Sequence, residues 1–389
     1  MPSVPITLPL LRLGRLELGP GLRAFQPGPA ASDLVVTAAV EVPESVSEPQ
    51  YAWDVAWADA VREASQLGAD QRTAQALAGG AGRVLAGGTR VVVAADGEVL
   101  LARWLRPGAA TGWVRAGPLP HLAEVAGAVA RRPAYVVVLA DREGAAIVAH
   151  TAADQHPARR FPVGVRPGAQ RDPHPDRPPA QHHGQRHVTD SEPESGGEPN
   201  ARFVAARVAE AAASVSAHVA LGAGDQHILE AVSGHLPGSL GPITNLASGP
   251  GPGGGDDGLD AEIAAALDEV TAGAIAAVSD LVSSSAAGPE PAAVRGIEAV
   301  AGQLAEQQVA VLLVAADIAR DHAGASYRIG SRPTELLIGD SGVGTQVPLE
   351  DGLVWAALHQ DAIVVQLPDR GGPLNGQPAA ALLRRGPAA

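Results

Sequence analysis

The spacing of apolar and polar positions predicts an α/β domain over residues 1–130. Its predicted elements are a strand over 34–40, helices over 51–66 and 70–85, and strands over 90–95 and 98–102. In the first helix, Trp53, Trp57 and Ala60 recur at helical spacing, which indicates core packing. The last two strands flank Asp96-Gly97, a dipeptide typical of a two-residue hairpin turn. The segment 109–116 has no predicted element.

A second domain is predicted over residues 131–247. Its predicted elements are strands over 134–140 and 145–150, a helix from Asn200 to about Leu221, and a helix over 226–234. Residues 158–199 interrupt the pattern, because Pro, His, Arg and Gly dominate and no periodicity survives. We expect a long exposed loop there, ordered only by a partner.

A third domain, residues 256–389, follows the Gly- and Pro-rich linker 248–255. Its predicted order is an acidic helix over 259–282, a helix-then-strand unit over 292–314, a polar loop over 317–332, a short strand over 335–338, a helix near 352–358 and a strand over 361–367. The predicted fold class is therefore α/β (α+β), with three domains that each hold a mixed sheet and packed helices.

Composition limits the classes of function. The 389 residues carry a net charge of −14, which argues against a protein that coats nucleic acid by bulk electrostatics, although local basic segments could still bind RNA. The absence of cysteine excludes disulfides and thiolate zinc sites and permits a reducing compartment, so a cytoplasmic location is expected. No signal peptide and no run of about 18 apolar residues is found, so no membrane partner is expected.

The segment 158–187 is the most basic part of the chain. Six arginines against Asp172 and Asp176 give a local balance of +4. Its candidate RNA-binding residues are Arg159, Arg160, Arg166, Arg171, Arg177, His182, His183, Gln185, Arg186 and His187. Arginine pairs with phosphate and histidine stacks on bases, so a flexible RNA-binding arm is one interpretation. The alternative is a surface insertion in a GC-rich genome, since all 28 basic residues are arginine.

No pattern predicts a metal, a cofactor or a catalytic group. His183 and His187 have the spacing of zinc ligands on a helix, but Pro178, Pro179 and Gly184 argue against a helix there. No glycine pair lies in a nucleotide-binding signature, and no Gly-X-Ser-X-Gly elbow is present. We therefore predict a protein that is not an enzyme and needs no cofactor.

Two segments and the order of the third domain carry a resemblance to a known family. The segments are Arg131-Arg-Pro-Ala-Tyr-Val-Val-Val-Leu-Ala-Asp-Arg-Glu-Gly144 and Ala201-Arg-Phe-Val-Ala-Ala-Arg-Val-Ala209. The chain resembles bacterial relatives of archaeal and eukaryotic class-1 release factors, and more narrowly the actinobacterial branch of Balon-like ribosome hibernation factors. The resemblance implies a three-domain factor that binds the ribosome.

Release factors of this type carry Gly-Gly-Gln for peptide release and Asn-Ile-Lys-Ser for codon reading, and this sequence has neither. The nearest approach to the first is His183-Gly184-Gln185. The hibernation relatives fill the ribosomal A site without reading codons or cutting the ester. One alternative is a peptidyl-tRNA hydrolase or rescue factor that uses Gln185, and another is a stress-linked protein with a borrowed fold and no ribosome contact.

The resemblance implies partners and places for the candidate residues. The partner is the 70S ribosome through its 16S and 23S rRNA, with elongation factor Tu or the ribosomal stalk as candidates at the third domain. The basic segment is expected near the peptidyl-transferase centre, and Leu67, Gly68, Ala69 and Asp70 on the decoding-centre side. No DNA partner is expected, and the free protein is expected to be a monomer.

Overall fold

The computed structural model describes residues 12–27, 34–42, 47–84, 88–105, 112–140, 144–152, 157–164, 197–247, 256–285, 292–318, 327–339 and 343–384. The helices are α1 (Pro20–Ala24), α2 (Pro49–Gln66), α3 (Gln71–Gly79), α4 (Ala123–Ala130), α5 (Gly197–Val215), α6 (Gln226–Ser233), α7 (Asp256–Ser285), α8 (Ile297–Ala305) and α9 (Leu349–Leu358). The strands are β1 (Val35–Glu41), β2 (Thr89–Ala95), β3 (Glu98–Leu105), β4 (Trp113–Gly117), β5 (Tyr135–Ala140), β6 (Gly144–His150), β7 (Pro157–Gly164), β8 (Val219–Gly224), β9 (Thr244–Asn245), β10 (Ala293–Arg295), β11 (Val309–Ala315), β12 (Tyr327–Ile329), β13 (Leu336–Ile338), β14 (Thr345–Val347), β15 (Ile363–Leu367) and β16 (Ala379–Leu383).

The chain divides into two compact units. The first comprises Met1–Ala134, His150–Pro157 and Ala265–Ala389, and the second comprises Tyr135–Ala149 and Ala158–Ala264. The first unit holds most of the segments predicted as the first and third domains. The predicted mixed α/β class is confirmed, while the division into three domains stays a prediction.

The amino-terminal sheet of the first unit is antiparallel, with strand order β3-β2-β1-β4. Helices α2 and α3 pack against it through Trp53, Trp57 and Leu77, all of which are buried. The indole N–H of Trp57 donates to the Leu77 carbonyl at 3.2 Å, so the buried polar group of this tryptophan is satisfied. The predicted core role of both tryptophans is confirmed.

The carboxyl-terminal part of the first unit holds two sheets, with strand orders β10-β16-β11-β15 and β13-β12-β14. Strands β11 and β15 are parallel, with Val311 opposite Ile363. One apolar core joins this part to the amino-terminal part, because Leu122 and Val125 lie in the same cluster as Leu353. This shared core fixes α9 relative to the segment that follows β4.

The second unit is built on a sheet with strand order β7-β6-β5-β8-β9, in which β5, β8 and β9 are parallel neighbours. Gly224 ends β8 with φ +118°, and a Cβ at this position would lie 1.9 Å from the Ala140 carbonyl oxygen. Only glycine fits there, because L side chains rarely adopt this φ and the neighbouring backbone is too close. The strand can therefore turn directly into the Asp225 cap of α6.

Several predicted boundaries are wrong. The helix expected to reach Leu221 ends at Val215, where Ser216 takes φ +55° and the Ala217 N–H donates to the Ala212 carbonyl at 2.8 Å. This bond and the positive φ are typical of a helix end, and a strand follows. The helix expected to reach Leu85 ends at Gly79. Both ends of the segment predicted as a long loop are wrong, because 158–164 lie in β7 and 197–199 lie in α5.

Four short strands also depart from the sequence prediction. Strand β4 lies in and beyond the unassigned segment, β12 lies inside the predicted polar loop, and β10 and β14 had no predicted strand. The tail after Gly376 forms β16, whose residues are all buried. Strands β4, β10, β14 and β16 each pair with a longer or central neighbour, and β12 is paired on both sides, so tertiary pairing determines them.

Candidate nucleic-acid interface

Strand β7 carries the two predicted RNA-binding residues that the structure describes. Arg159 and Arg160 are exposed, and β7 is an edge strand of the five-stranded sheet. Neighbouring residues on a strand face opposite sides, so Arg159 shares its side with Phe161 while Arg160 faces the other way. The other predicted residues of this segment, Arg166, Arg171, Arg177, His182, His183, Gln185, Arg186 and His187, lie outside the described residues.

Helix α5 brings an aromatic ring and a third cation to this strand. Its buried positions include Ala201, Val204 and Val208, which form the face that packs on the core. Phe203 and Arg207 lie one turn apart on another face, and Phe203 is 56% exposed. The Arg207 guanidinium lies 5.8 Å from the centre of the Phe161 ring. This contact connects α5 to the same side of β7 as Arg159.

We name Arg159, Phe161, Phe203 and Arg207 the basic-aromatic patch. Arg207 also pairs with Glu210 at 2.5 Å, and this exposed pair fixes the guanidinium at modest energetic gain. Arginine forks suit phosphate oxygens, and exposed aromatic rings accept stacked bases. The patch therefore has the chemistry of a single-stranded RNA contact.

Sequence reasoning missed three of the four patch residues. Phe203 and Arg207 lie in a segment that carries the family resemblance, but no role was predicted for them. The available signal was an i, i+4 pair of an aromatic and a basic residue on the polar side of an amphipathic helix. The contact between Arg207 and Phe161 joins residues that lie 46 positions apart in the sequence, so no local pattern could predict it.

The turn between α2 and α3 contains the four residues predicted on the decoding-centre side. Gly68 takes φ +102°, and the N–H groups of Gly68 and Ala69 donate to the carbonyls of Ser65 and Ala64 at 3.2 and 3.1 Å. This pattern is a Schellman motif that ends α2. Leu67 is left 45% exposed. Backbone hydrogen bonds therefore define this turn, and Leu67 is its exposed apolar side chain.

Asp70 closes the same turn as the cap of α3. Its side chain accepts a hydrogen bond from the Thr73 N–H at 2.7 Å. That backbone hydrogen bond holds the pKa of Asp70 below its usual value, with a smaller contribution from the nearby Arg72 charge. The structure therefore gives Asp70 a capping role, and its predicted place near the decoding centre stays a prediction.

The described part of the chain contains no candidate metal site and no candidate membrane-spanning helix. Among the described residues, no group of three or more His, Asp or Glu could hold a metal ion. The helices of this part include none with the length and apolarity needed to cross a bilayer. The histidines considered as zinc ligands lie outside the described residues.

Residues 134–287 match the model of bacterial archaeo-eukaryotic release factor family 2. This segment contains β5, the predicted basic segment, and the whole basic-aromatic patch. The resemblance to bacterial relatives of archaeal and eukaryotic release factors, stated from two segments and the order of the third domain, is thereby confirmed. The middle of the chain is release-factor-like.

Several solved structures of low identity are also similar. They include Archaeoglobus fulgidus Pelota (14% identity, 79% of this chain and 82% of that chain, TM-score 0.31), a model of ribosome-bound archaeal Pelota and ABCE1 (14% identity, 99% of both chains, TM-score 0.39), and S. cerevisiae Dom34, described as a translation termination-like factor (9% identity, 77% of this chain and 81% of that chain, TM-score 0.35). No curated protein matches the chain.

Proposed function

We propose that this protein is a ribosome hibernation factor, which occupies the A site under stress or dormancy and blocks translation. One observation carries the proposal: the segment that matches a release-factor family contains the basic-aromatic patch, in which Arg159 and Phe203 are exposed. Such a patch has the chemistry of a contact with rRNA. In this proposal Arg159, Arg160 and the rest of the basic segment contact 23S rRNA near the peptidyl-transferase centre.

We propose that the factor is not an enzyme. With no lysine it lacks the Asn-Ile-Lys-Ser motif of codon reading, and it also lacks Gly-Gly-Gln. A factor without these motifs can hold the site by contact alone, since phosphate and base contacts need no reacting group. Leu67 and the Schellman turn around Gly68 would then contact the 16S rRNA side without selecting a codon.

The acidic helix α7 supports a protein partner for the third predicted domain. Its exposed residues include Asp260, Asp268, Glu269 and Asp280. Exposed acidic side chains repel rRNA and suit a basic protein surface, although Asp268 already pairs with Arg132. We propose elongation factor Tu or the ribosomal stalk as that partner.

The experiment compares variants in binding to vacant 70S ribosomes over a salt series. Replacing Arg159 and Arg160 together with alanine should weaken binding and flatten the plot of log affinity against log salt by about one unit for each phosphate that the variant no longer neutralises. The matched control replaces Arg62 and Arg332, two exposed arginines of the first unit, so the change in net charge is equal. Equal effects of the two pairs would contradict the proposed contact.

A second measurement addresses the A site itself. Saturating amounts of the wild-type protein should prevent binding of aminoacyl-tRNA to the A site of programmed ribosomes and leave P-site tRNA in place. Simultaneous binding of the factor and the A-site tRNA would overturn this part of the proposal.

A further inference from the structure

The first unit contains a cavity of about 530 Å³, and Leu67 is the one lining residue that also belongs to the proposed ribosome contacts. It lies between β4 with the residues after it and the start of α9, and Tyr327 of β12 forms part of its wall. Its apolar wall includes Leu119, Val347 and Leu349. Its size falls within the range of small-molecule sites, roughly 300–1,000 Å³.

One end of the cavity is charged, and most of its charged groups are paired. His121 is buried, and its Nδ1 donates to Asp351 Oδ1 at 2.8 Å. Its Nε2 lies 4.0 Å from Glu124 Oε1, while Glu124 Oε2 accepts a hydrogen bond from the Trp113 indole at 2.7 Å. The backbone N–H of His121 donates to Thr37 Oγ1 at 3.0 Å. His121 is therefore held between two carboxylates.

Glu350 is the exception at this end of the cavity. It lines the cavity in the first turn of α9, it is 9% exposed, and it makes no hydrogen bond with the described residues. Burial raises the pKa of Glu350, and the nearby charges of His121 and Arg115 oppose that shift only in part. The Glu350 carboxyl group faces the cavity and has no hydrogen-bond partner among the described residues, so it is available to a ligand that enters.

We propose that this cavity binds a small organic cation, whose ammonium or guanidinium group pairs with Glu350 and whose short apolar body lies against Leu119 and Val347. Among the described residues, the three carboxyl groups of Glu124, Glu350 and Asp351 face two basic groups at this end, His121 and Arg115, so the charge favours a cation. A bare metal ion fits less well, because no group of three or more potential metal ligands exists among the described residues. The apolar wall gives the organic part of the ligand a surface to bury.

The test uses the full-length protein and calorimetry with n-butylammonium and n-butylguanidinium chloride. Butanol and sodium butyrate serve as neutral and anionic probes of the same length. The proposal predicts that at least one cation binds about tenfold or more tighter than butanol, since a charge-assisted hydrogen bond is worth about 1.4 kcal/mol or more. Butyrate should bind no tighter than butanol. Cations that bind no tighter than butanol would overturn the proposal.

Two variants locate the binding. Glu350→Gln keeps the shape of the side chain and should weaken binding of the cation about tenfold. Glu298→Gln is the matched control, because Glu298 lies in the first turn of α8 and is exposed. The control should bind like the wild type. Binding that survives Glu350→Gln unchanged would place the cation elsewhere and refute the assignment.

Proton linkage gives a second readout that needs no variant. A cation beside Glu350 favours its ionised form, so binding should release protons and strengthen as the pH rises from the ordinary pKa of a glutamate through the raised pKa of Glu350. Calorimetry in two buffers of different ionisation enthalpy measures this release. The other titratable groups facing Glu350 are His121, Glu124, Asp351, Arg115 and Tyr327, and Glu350→Gln should remove the release if Glu350 is its source. Binding without proton release across this range would contradict the proposed pairing.

This site goes beyond ribosome binding and does not depend on it. A protein that binds the cation but no ribosome would leave the cavity assignment intact. A protein that binds ribosomes but no cation would refute the cavity assignment alone.

Discussion

Replacing Phe203 with leucine separates base stacking from stability. Phe203 is 56% exposed, so a little under half of the side chain is buried. A phenylalanine buries roughly 200 Å² when fully covered, so about 90 Å² is buried here, worth about 2 kcal/mol at about 25 cal/mol/Å². Leucine keeps most of that apolar contact and is a better helix former. The melting temperature should therefore change little.

Binding to the ribosome should change much more. Stacking of one base on an aromatic ring is worth roughly 1–3 kcal/mol, which is about 5- to 150-fold in affinity. Stacking releases no counterions, so affinity should fall by the same factor at every salt concentration. The double arginine variant should instead change the slope of the salt dependence.

The assay is a salt series of co-sedimentation with vacant ribosomes, using wild type, Phe203→Leu and Phe203→Ala. Circular dichroism melts run alongside report stability. Phe203→Leu that binds as tightly as wild type would refute a stacking role. A decrease in affinity that disappears at high salt would also refute it, because such a decrease is electrostatic.

The remaining predictions concern the basic segment, its glutamine and two carboxyl groups. Deleting Arg166–His187 should weaken ribosome binding and flatten its salt dependence, and undiminished binding at physiological salt would contradict the role of that segment. The wild type should release no peptide from stalled complexes, and neither should Gln185→Ala; release by the wild type that this variant abolishes would favour the hydrolase alternative. Asp70→Ala should lower the melting temperature at neutral pH. Because the folded-state pKa of Asp70 is depressed, this difference should shrink as the pH falls through that pKa, and a pH-independent difference would contradict stabilisation by the ionised carboxylate. The folded-state pKa of Glu350 is raised, so its ionisation opposes folding above the ordinary pKa of a glutamate. Glu350→Gln should therefore be more stable than wild type at neutral pH, with an advantage that shrinks in acid, and an advantage that persists unchanged in acid would contradict this sign.

The sequence predicts elements whose periodicity is strong and local. Trp53 and Trp57 lie one helical turn apart, and both are buried in α2 as expected. Asp96-Gly97 forms the predicted hairpin turn between β2 and β3, with positive φ at both residues. In both places a few neighbouring residues determine the structure, so the local sequence pattern is sufficient to predict it.

Elements that depend on residues distant in the sequence cannot be predicted from local patterns. The run Ala379–Leu383 has no alternation, and it becomes a strand because it pairs with both β10 and β11. Strand β7 contains Pro157, Pro162 and Gly164, residues that ordinarily argue against a strand, and its edge position tolerates them.

The site residues also differ in whether local sequence or distant contacts determine them. The exposure of Arg159 and Arg160 follows from the polarity of their segment, and it is confirmed. The contact of Arg207 with Phe161 depends on how α5 packs beside the sheet. The pair of His121 and Asp351 spans 230 positions of sequence, and only the shared core of the first unit brings these two residues together.

Co-sedimentation of the wild-type protein with vacant 70S ribosomes, across a salt series and with elongation factor Tu present or absent, tests ribosome binding most directly. We predict stoichiometric binding at low salt that weakens steadily as salt rises, because arginine–phosphate contacts carry much of the affinity. No binding at the lowest salt, even with elongation factor Tu added, would contradict the proposed function and leave the release-factor resemblance as a sign of ancestry alone.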